Sequence, residues 1–152
     1  MRVKKGYATR RGKIAVEDAA VYVRDLAQRL EARGRLGATR SFIQHGDVSV
    51  YDHVLAVAKT SIRMARVLSR VGIAVDVHAL VRGALLHDYF LYDWHDSDPS
   101  HRLHGFKHPF FALERAEEDF DLTPIERNII ARHMFPLVPI PPACREAWIV
   151  CL

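Results

Sequence analysis

No apolar run in this chain approaches the length of a membrane span, because charges interrupt every hydrophobic stretch. Membrane insertion is therefore not expected. Cysteine is scarce: there are only Cys144 and Cys151, seven residues apart near the end. On a helix that spacing is about two turns, too far to bridge, so the pair reads as small buried hydrophobes in a reducing compartment. There is no Gly-x-Gly-x-x-Gly pattern, no internal repeat and no convincing strand. No Ser, Cys or Lys nucleophile sits in a recognisable motif. Arg2, Lys4 and Lys5 are followed by no apolar stretch, so a secretory signal is not expected and a cytoplasmic location is.

What is present is ordinary for a globular protein: 152 residues, 49% hydrophobic and 26% charged. One domain with a real core is expected. The net charge of +4 is unevenly placed, with 11 Lys/Arg against 4 Asp/Glu in residues 1–40 and 11 against 14 in the remainder. Residues 1–15 read as a basic arm and 16–152 as a helical domain. The arm lacks the interleaved aromatics of a base-stacking surface, so nucleic-acid binding is not expected. Oligomeric state is left open.

The hydrophobic pattern is helical throughout. Ala19, Ala20, Val23, Leu26, Ala27 and Leu30 recur at steps of three and four, and Gly34 and Gly37 end that segment. A second helix is expected from near Val48, capped by Asp47, with Val50, Val54, Val57, Ala58, Ile62, Ala65 and Leu68 on its apolar stripe. Asp76 reads as the N-cap of a third helix leading into His87-Asp88. Pro109 is placed at the N1 position of a fourth, just after His108. Thr123-Pro124-Ile125-Glu126 spells a capping box, and a last amphipathic segment carries Ala147, Trp148 and Ile149. The fold class expected is all-α, a compact bundle.

The chemistry concentrates in His53, His87-Asp88, His108 and His133. They lie on separate helix-compatible segments, as ligands of an ion held inside a bundle must. The 34 residues between His53 and His87 suit two antiparallel neighbouring helices. Imidazole and carboxylate donors, with both cysteines elsewhere, suit Mn²⁺, Fe²⁺, Co²⁺, Ni²⁺ or Zn²⁺ and leave room for water and phosphate oxygens. His104 is the alternative to His108, the proline favouring His108. His95 and His101 read as loop residues, and His45 and His78 as structural or surface. Lys107 and Arg132 flank proposed ligands and could hold a substrate phosphate, or serve as solvent-facing charges.

In order and spacing, these residues resemble the H…HD…H…H…D pattern of the HD superfamily of metal-dependent phosphohydrolases, over roughly residues 42–152. The resemblance makes His53 the leading histidine and His87-Asp88 the doublet, with Asp88 bridging where two metals are bound. His108 and His133 become the following histidines. It implies one or two divalent ions and a small phosphorylated substrate, a nucleotide being the commonest in the family; the candidate catalytic side chains are then Asp88 and, from their position beside the ligands, Lys107 and Arg132. Two other functions are compatible: a non-catalytic domain binding a metal or phosphorylated ligand, and an iron oxygenase. The pattern's closing aspartate has no counterpart after His133. The uncapped apolar ending Trp148–Leu152 reads as a helix cut short, and the segment from Pro142 is expected to pass beside the metal site. Either further residues supply the aspartate, or the site works with five ligands. A stand-in from Asp93, Asp96 or Asp98 is a further alternative.

Overall fold

The computed structural model describes residues 16–95, 98–99 and 103–152. The basic arm, Asp96 and His101 lie outside the described residues. The element order is α1 (Val16–Arg33), a 3-10 helix (Leu36–Ser41), β1 (Ile43–His45), β2 (Val48–Ser49), α2 (Val50–Arg70), α3 (Val77–Leu86), α4 (His104–Asp119), α5 (Pro124–Arg132) and α6 (Arg145–Cys151). The architecture is all-α with one small antiparallel hairpin. No helix is long and apolar enough to cross a membrane among the described residues.

Helix α3 is the axis of the bundle. Every residue from Ala79 to Leu86 except Arg82 is buried, because α1, α2, α5 and α6 all pack on it. Gly83 permits one of these approaches: a Cβ built there would meet Ile129 Cδ1 at 2.5 Å. On α1 the stripe Ala19, Val23, Leu26, Ala27 and Leu30 is buried, and on α2 Val50, Val54, Ala58, Ile62 and Ala65. A periodic apolar face is what draws each helix to the core.

Local capping fixes the helix starts. The Asp76 side chain accepts from Ala79 N, and Thr123 and Glu126 form the reciprocal capping box at α5. Buried Glu126 also receives Arg82 Nη1 at 2.7 Å, which ties α3 to α5.

Two expected starts are corrected. Helix α2 is capped by Ser49, whose Oγ accepts from Asp52 N at 3.0 Å, and not by Asp47. Gly46 at φ +53 turns the chain so that His45 pairs with Val48, and this hairpin absorbs Asp47 into its turn. Helix α4 begins at His104, five residues before Pro109, which lies inside it. There a proline gives up the bond to the Gly105 carbonyl four residues back, and its ring crowds that carbonyl. The ring stack of His104 on Trp94 and His108 holds that first turn in place (centroids 4.7 and 4.6 Å). Leu103, at φ 59, forms the left-handed entry to α4.

Direction in the bundle follows from contacts at the helix ends. Glu146 accepts from Asp76 N at the start of α3, and Asn128 in α5 accepts from Ala143 N. At the other end of α6, Cys151 Sγ lies 3.3 Å from the Phe135 carbonyl, just past α5. Helices α3, α5 and α6 therefore run alongside one another toward the same end of the molecule, where α3 and α5 deliver His87 and His133.

Candidate metal centre

His87 and His133 are set in place by one local device. Each is the C-cap of its helix, in the right-handed helical region, where the carbonyls of the last turn lack partners. Nδ1 of His87 lies 2.6 Å from the Ala84 carbonyl, and Nδ1 of His133 lies 2.8 Å from that of Ile130. On α4, Nδ1 of His108 lies 3.0 Å from the His104 carbonyl. A carbonyl only accepts, so each Nδ1 carries the proton. In the neutral ring, Nε2 then keeps its lone pair, the arrangement that second-neighbour hydrogen bonds impose on metal-binding histidines.

All these Nε2 atoms converge on Asp88. Its Oδ2 lies 3.4 Å from Nε2 of both His53 and His87, and its Oδ1 lies 3.2 Å from His108 Nε2 and 3.3 Å from His133 Nε2. Two triads result, His53–His87–Asp88 and Asp88–His108–His133, each with ligand atoms within 4.8 Å of one another. One carboxylate serves both, each oxygen facing a different pair of imidazoles. The halves differ in access: the His53 side chain is 29% exposed, whereas His108 and His133 are buried.

The turn after α3 holds Asp88 rigidly. Tyr89 N bonds the Leu86 carbonyl, and Tyr89 and Phe90 are buried in the core. Leu91 follows at φ 56, a strained conformation for a branched residue, where the chain leaves the core.

Electrostatics favour a cation here. Burial alone would raise the Asp88 carboxyl, but the charge that His87 carries beside it holds it well below the usual carboxylate range. Burial drives His53 down to about 4 and also lowers His133, so both are neutral near pH 7. His87 is pulled down by burial yet ends raised, because the Asp88 charge draws a proton onto it. A bound cation would replace that proton. Between the other two rings the conflict is direct: His108 Nε2 and His133 Nε2 are 2.8 Å apart, both with Nδ1 already protonated. Asp88 Oδ1 beside them is buried and, despite those close nitrogens, lies out of hydrogen-bonding alignment. Facing lone pairs around an orphaned carboxylate oxygen fit a divalent ion with N/O ligation.

Among the described residues, the other sequence candidates are not part of the two triads. His104 stands behind His108 and supplies the carbonyl that fixes it, while its own Nδ1 is 2.8 Å from the Tyr92 hydroxyl. The choice between the two histidines by the proline rested on a helix start that the structure moves. His95 stacks on Trp94, and His45 and His78 are exposed. Lys107 is exposed beside His108, and Arg132 Nη1 lies 3.5 Å from the Pro141 carbonyl. Asp93 Oδ1 accepts from His95 N. Sequence reasoning missed Gln44, whose Nε2 donates to Asp88 Oδ2 at 3.1 Å. Nothing in its type or spacing pointed there; only the Gly46-Asp47 turn hinted at a hairpin.

An all-α bundle with its histidines gathered on an Asp88 bridge defines a candidate metal-binding domain. The HD domain family matches residues 50–152, and the chain belongs to that family, whose members bind divalent metals. No curated protein and no solved structure matched the chain.

Proposed function

We propose that the protein is a metal-dependent phosphohydrolase acting on a small phosphorylated substrate. In this reading His53, His87, Asp88, His108 and His133 hold two divalent transition-metal ions (Mn²⁺, Fe²⁺, Co²⁺, Ni²⁺ or Zn²⁺), with Asp88 between them. The observation that carries it is the pair of Nε2 atoms of His108 and His133, 2.8 Å apart, beside a buried Asp88 oxygen that has no hydrogen bond among the described residues. Ions held by the two halves would supply charge to neutralise phosphoryl oxygens, and the one on the open half would acidify a water.

The chain's own side chains divide the remaining work. Asp88 supplies the shared negative charge, and the hydrogen bonds from Nδ1 keep His87, His108 and His133 oriented. The buried pair His108 and His133 excludes water from one half, while the half-exposed His53 leaves the other open to substrate. Lys107 and Arg132 are the nearest cations in sequence to His108 and His133; in this reading they draw the phosphate toward the open half, Arg132 releasing its long contact to Pro141.

The test is metal analysis of the purified protein, combined with Mn²⁺- or Fe²⁺-dependent phosphate release from a panel of nucleotides and sugar phosphates. Release that chelation abolishes and metal restores is expected. Lys107→Ala and Arg132→Ala should raise KM more than they lower kcat. Stoichiometric metal without phosphate release from any panel member would overturn the hydrolase reading and leave a binding domain.

A further inference from the structure

Three observations meet at Gln44. First, it sits at an irregularity of the hairpin. Ile43 pairs with Ser49 and His45 with Val48, so two steps on β1 match one on β2 and Gln44 is the extra residue. Such bulges re-aim one side chain, and they recur beside active sites. Here Ile43 and His45 are exposed, while Gln44 is part-buried toward Asp88. Second, its Nε2 donates to Asp88 Oδ2, the oxygen that faces His53 and His87. A carboxylate only accepts, so the amide orientation is fixed. Third, the remaining atom of that amide, Oε1, is buried and has no hydrogen-bond partner among the described residues. A buried acceptor left unsatisfied costs about 1–3 kcal/mol, so its retention calls for a partner.

We propose that Gln44 is a positioning residue of the open half: its Nε2 pins Asp88 Oδ2, and its Oε1 accepts an O–H from the water activated there. This rests on the reading of the cluster as a hydrolytic metal centre. A carboxamide does not take the proton at neutral pH; it fixes where the water's hydrogen points, and therefore where its lone pair points. The hairpin is well suited to hold it. Val50 N bonds the Phe42 carbonyl at 2.8 Å, which ties the hairpin to the first turn of α2, the turn that carries His53.

The experiment compares the full chain with Gln44→Leu, Gln44→Glu and, as a control on the exposed hairpin face, Ile43→Ala. Mn²⁺ binding is read by calorimetry, bound water by Mn²⁺-dependent proton relaxation, and turnover with p-nitrophenyl phosphate. Gln44→Leu should weaken one of the two Mn²⁺ ions by about 10- to 100-fold, leave the other unchanged, and lower kcat by a similar factor with KM nearly constant. Gln44→Glu keeps an acceptor and should retain more turnover and more of the relaxation signal than the Leu variant. Wild-type affinity for both ions in Gln44→Leu overturns the proposal, as does a Glu variant no better than Leu. If Gln44→Leu fails to fold, the Glu variant decides: a relaxation signal lost from a folded protein with both ions bound overturns the role of Oε1. Should the wild type bind two Mn²⁺ but release no phosphate, the hydrolase reading alone falls, and the affinity and relaxation arms still judge Gln44. A wild type that binds no Mn²⁺ overturns both.

Discussion

Asp88 and Tyr89 are neighbours in the chain but belong to opposite kinds of polar cluster. Around Tyr89 every partner is matched. Its hydroxyl donates to Asp119 Oδ2 at 2.7 Å and accepts from Arg35 N, and Arg35 grips Asp119 through Nε and Nη2 at 2.8 and 3.1 Å. Around Asp88, one carboxylate oxygen has no hydrogen bond among the described residues and two imidazole nitrogens face each other. Burial pushes two imidazoles near Asp88 down, while Asp88 and Asp119 alike are lowered by their partners against the effect of burial. The Tyr89 cluster ties the segment after α1, the turn after α3 and the end of α4 together. The Asp88 cluster holds donors in position for something else. Complementary groups stabilise a fold; groups of like character held together against their preference mark a site.

The sharpest way to break this comparison is to remove the shared carboxylate. Asp88→Ala should abolish stoichiometric metal binding, because both triads use it, while the metal-free protein stays folded. Retained stoichiometric binding in mass spectrometry under native conditions would refute the centre. A finer cut separates the halves: His53→Ala and His133→Ala should each drop the metal content from about two ions to about one. The ion left in His53→Ala should exchange more slowly, since His108 and His133 are buried.

On the Tyr89 side the effects should fall on stability alone. Tyr89→Phe deletes a hydroxyl that bonds Asp119 and Arg35 N, and leaves both without that partner. A loss of about 1–2 kcal/mol is expected in urea denaturation, with metal stoichiometry unchanged. A metal loss matching the stability loss would mean that the two clusters are one unit.

The smallest effect is a pH dependence. Asp119 lies below its ordinary value of 3.8 when folded, so its contribution is present above that value and lost as pH falls through the lower, folded one. Arg35 is nearly half exposed, which limits the contribution to less than about 1 kcal/mol. Asp119→Asn should lower stability near pH 7 by about that amount, leave it unchanged in acid below the folded value, and so flatten the acid limb of the profile.

Local signals were legible wherever the physics was local. Thr123 and Glu126 bond each other's backbone within a single turn, so four residues suffice to announce α5, and Asp76 caps α3 for the same reason. The stripes of α1 and α2 were readable because a helix repeats its buried face every three or four residues. The order of His53, His87-Asp88, His108 and His133 was readable because the donors keep their chemistry in any fold.

Tertiary structure decided what depended on distant partners. Asp47 and Ser49 are both capable caps, and only the pairing of His45 with Val48 selects Ser49. Pro109 is as suited to open a helix as to sit inside one. The stack of His104 between Trp94 and His108 places it inside. Gln44 reaches Asp88 across 44 positions in sequence, by way of a bulge that no pattern of residue types records. The sequence by itself determined which groups could bind a metal and which segments would be helices, since both follow from side-chain chemistry and short-range periodicity. Only the packing of α2 and α5 on α3, the latter made possible at Gly83, and of α4 on α5, decided that one carboxylate would stand between two pairs of imidazoles.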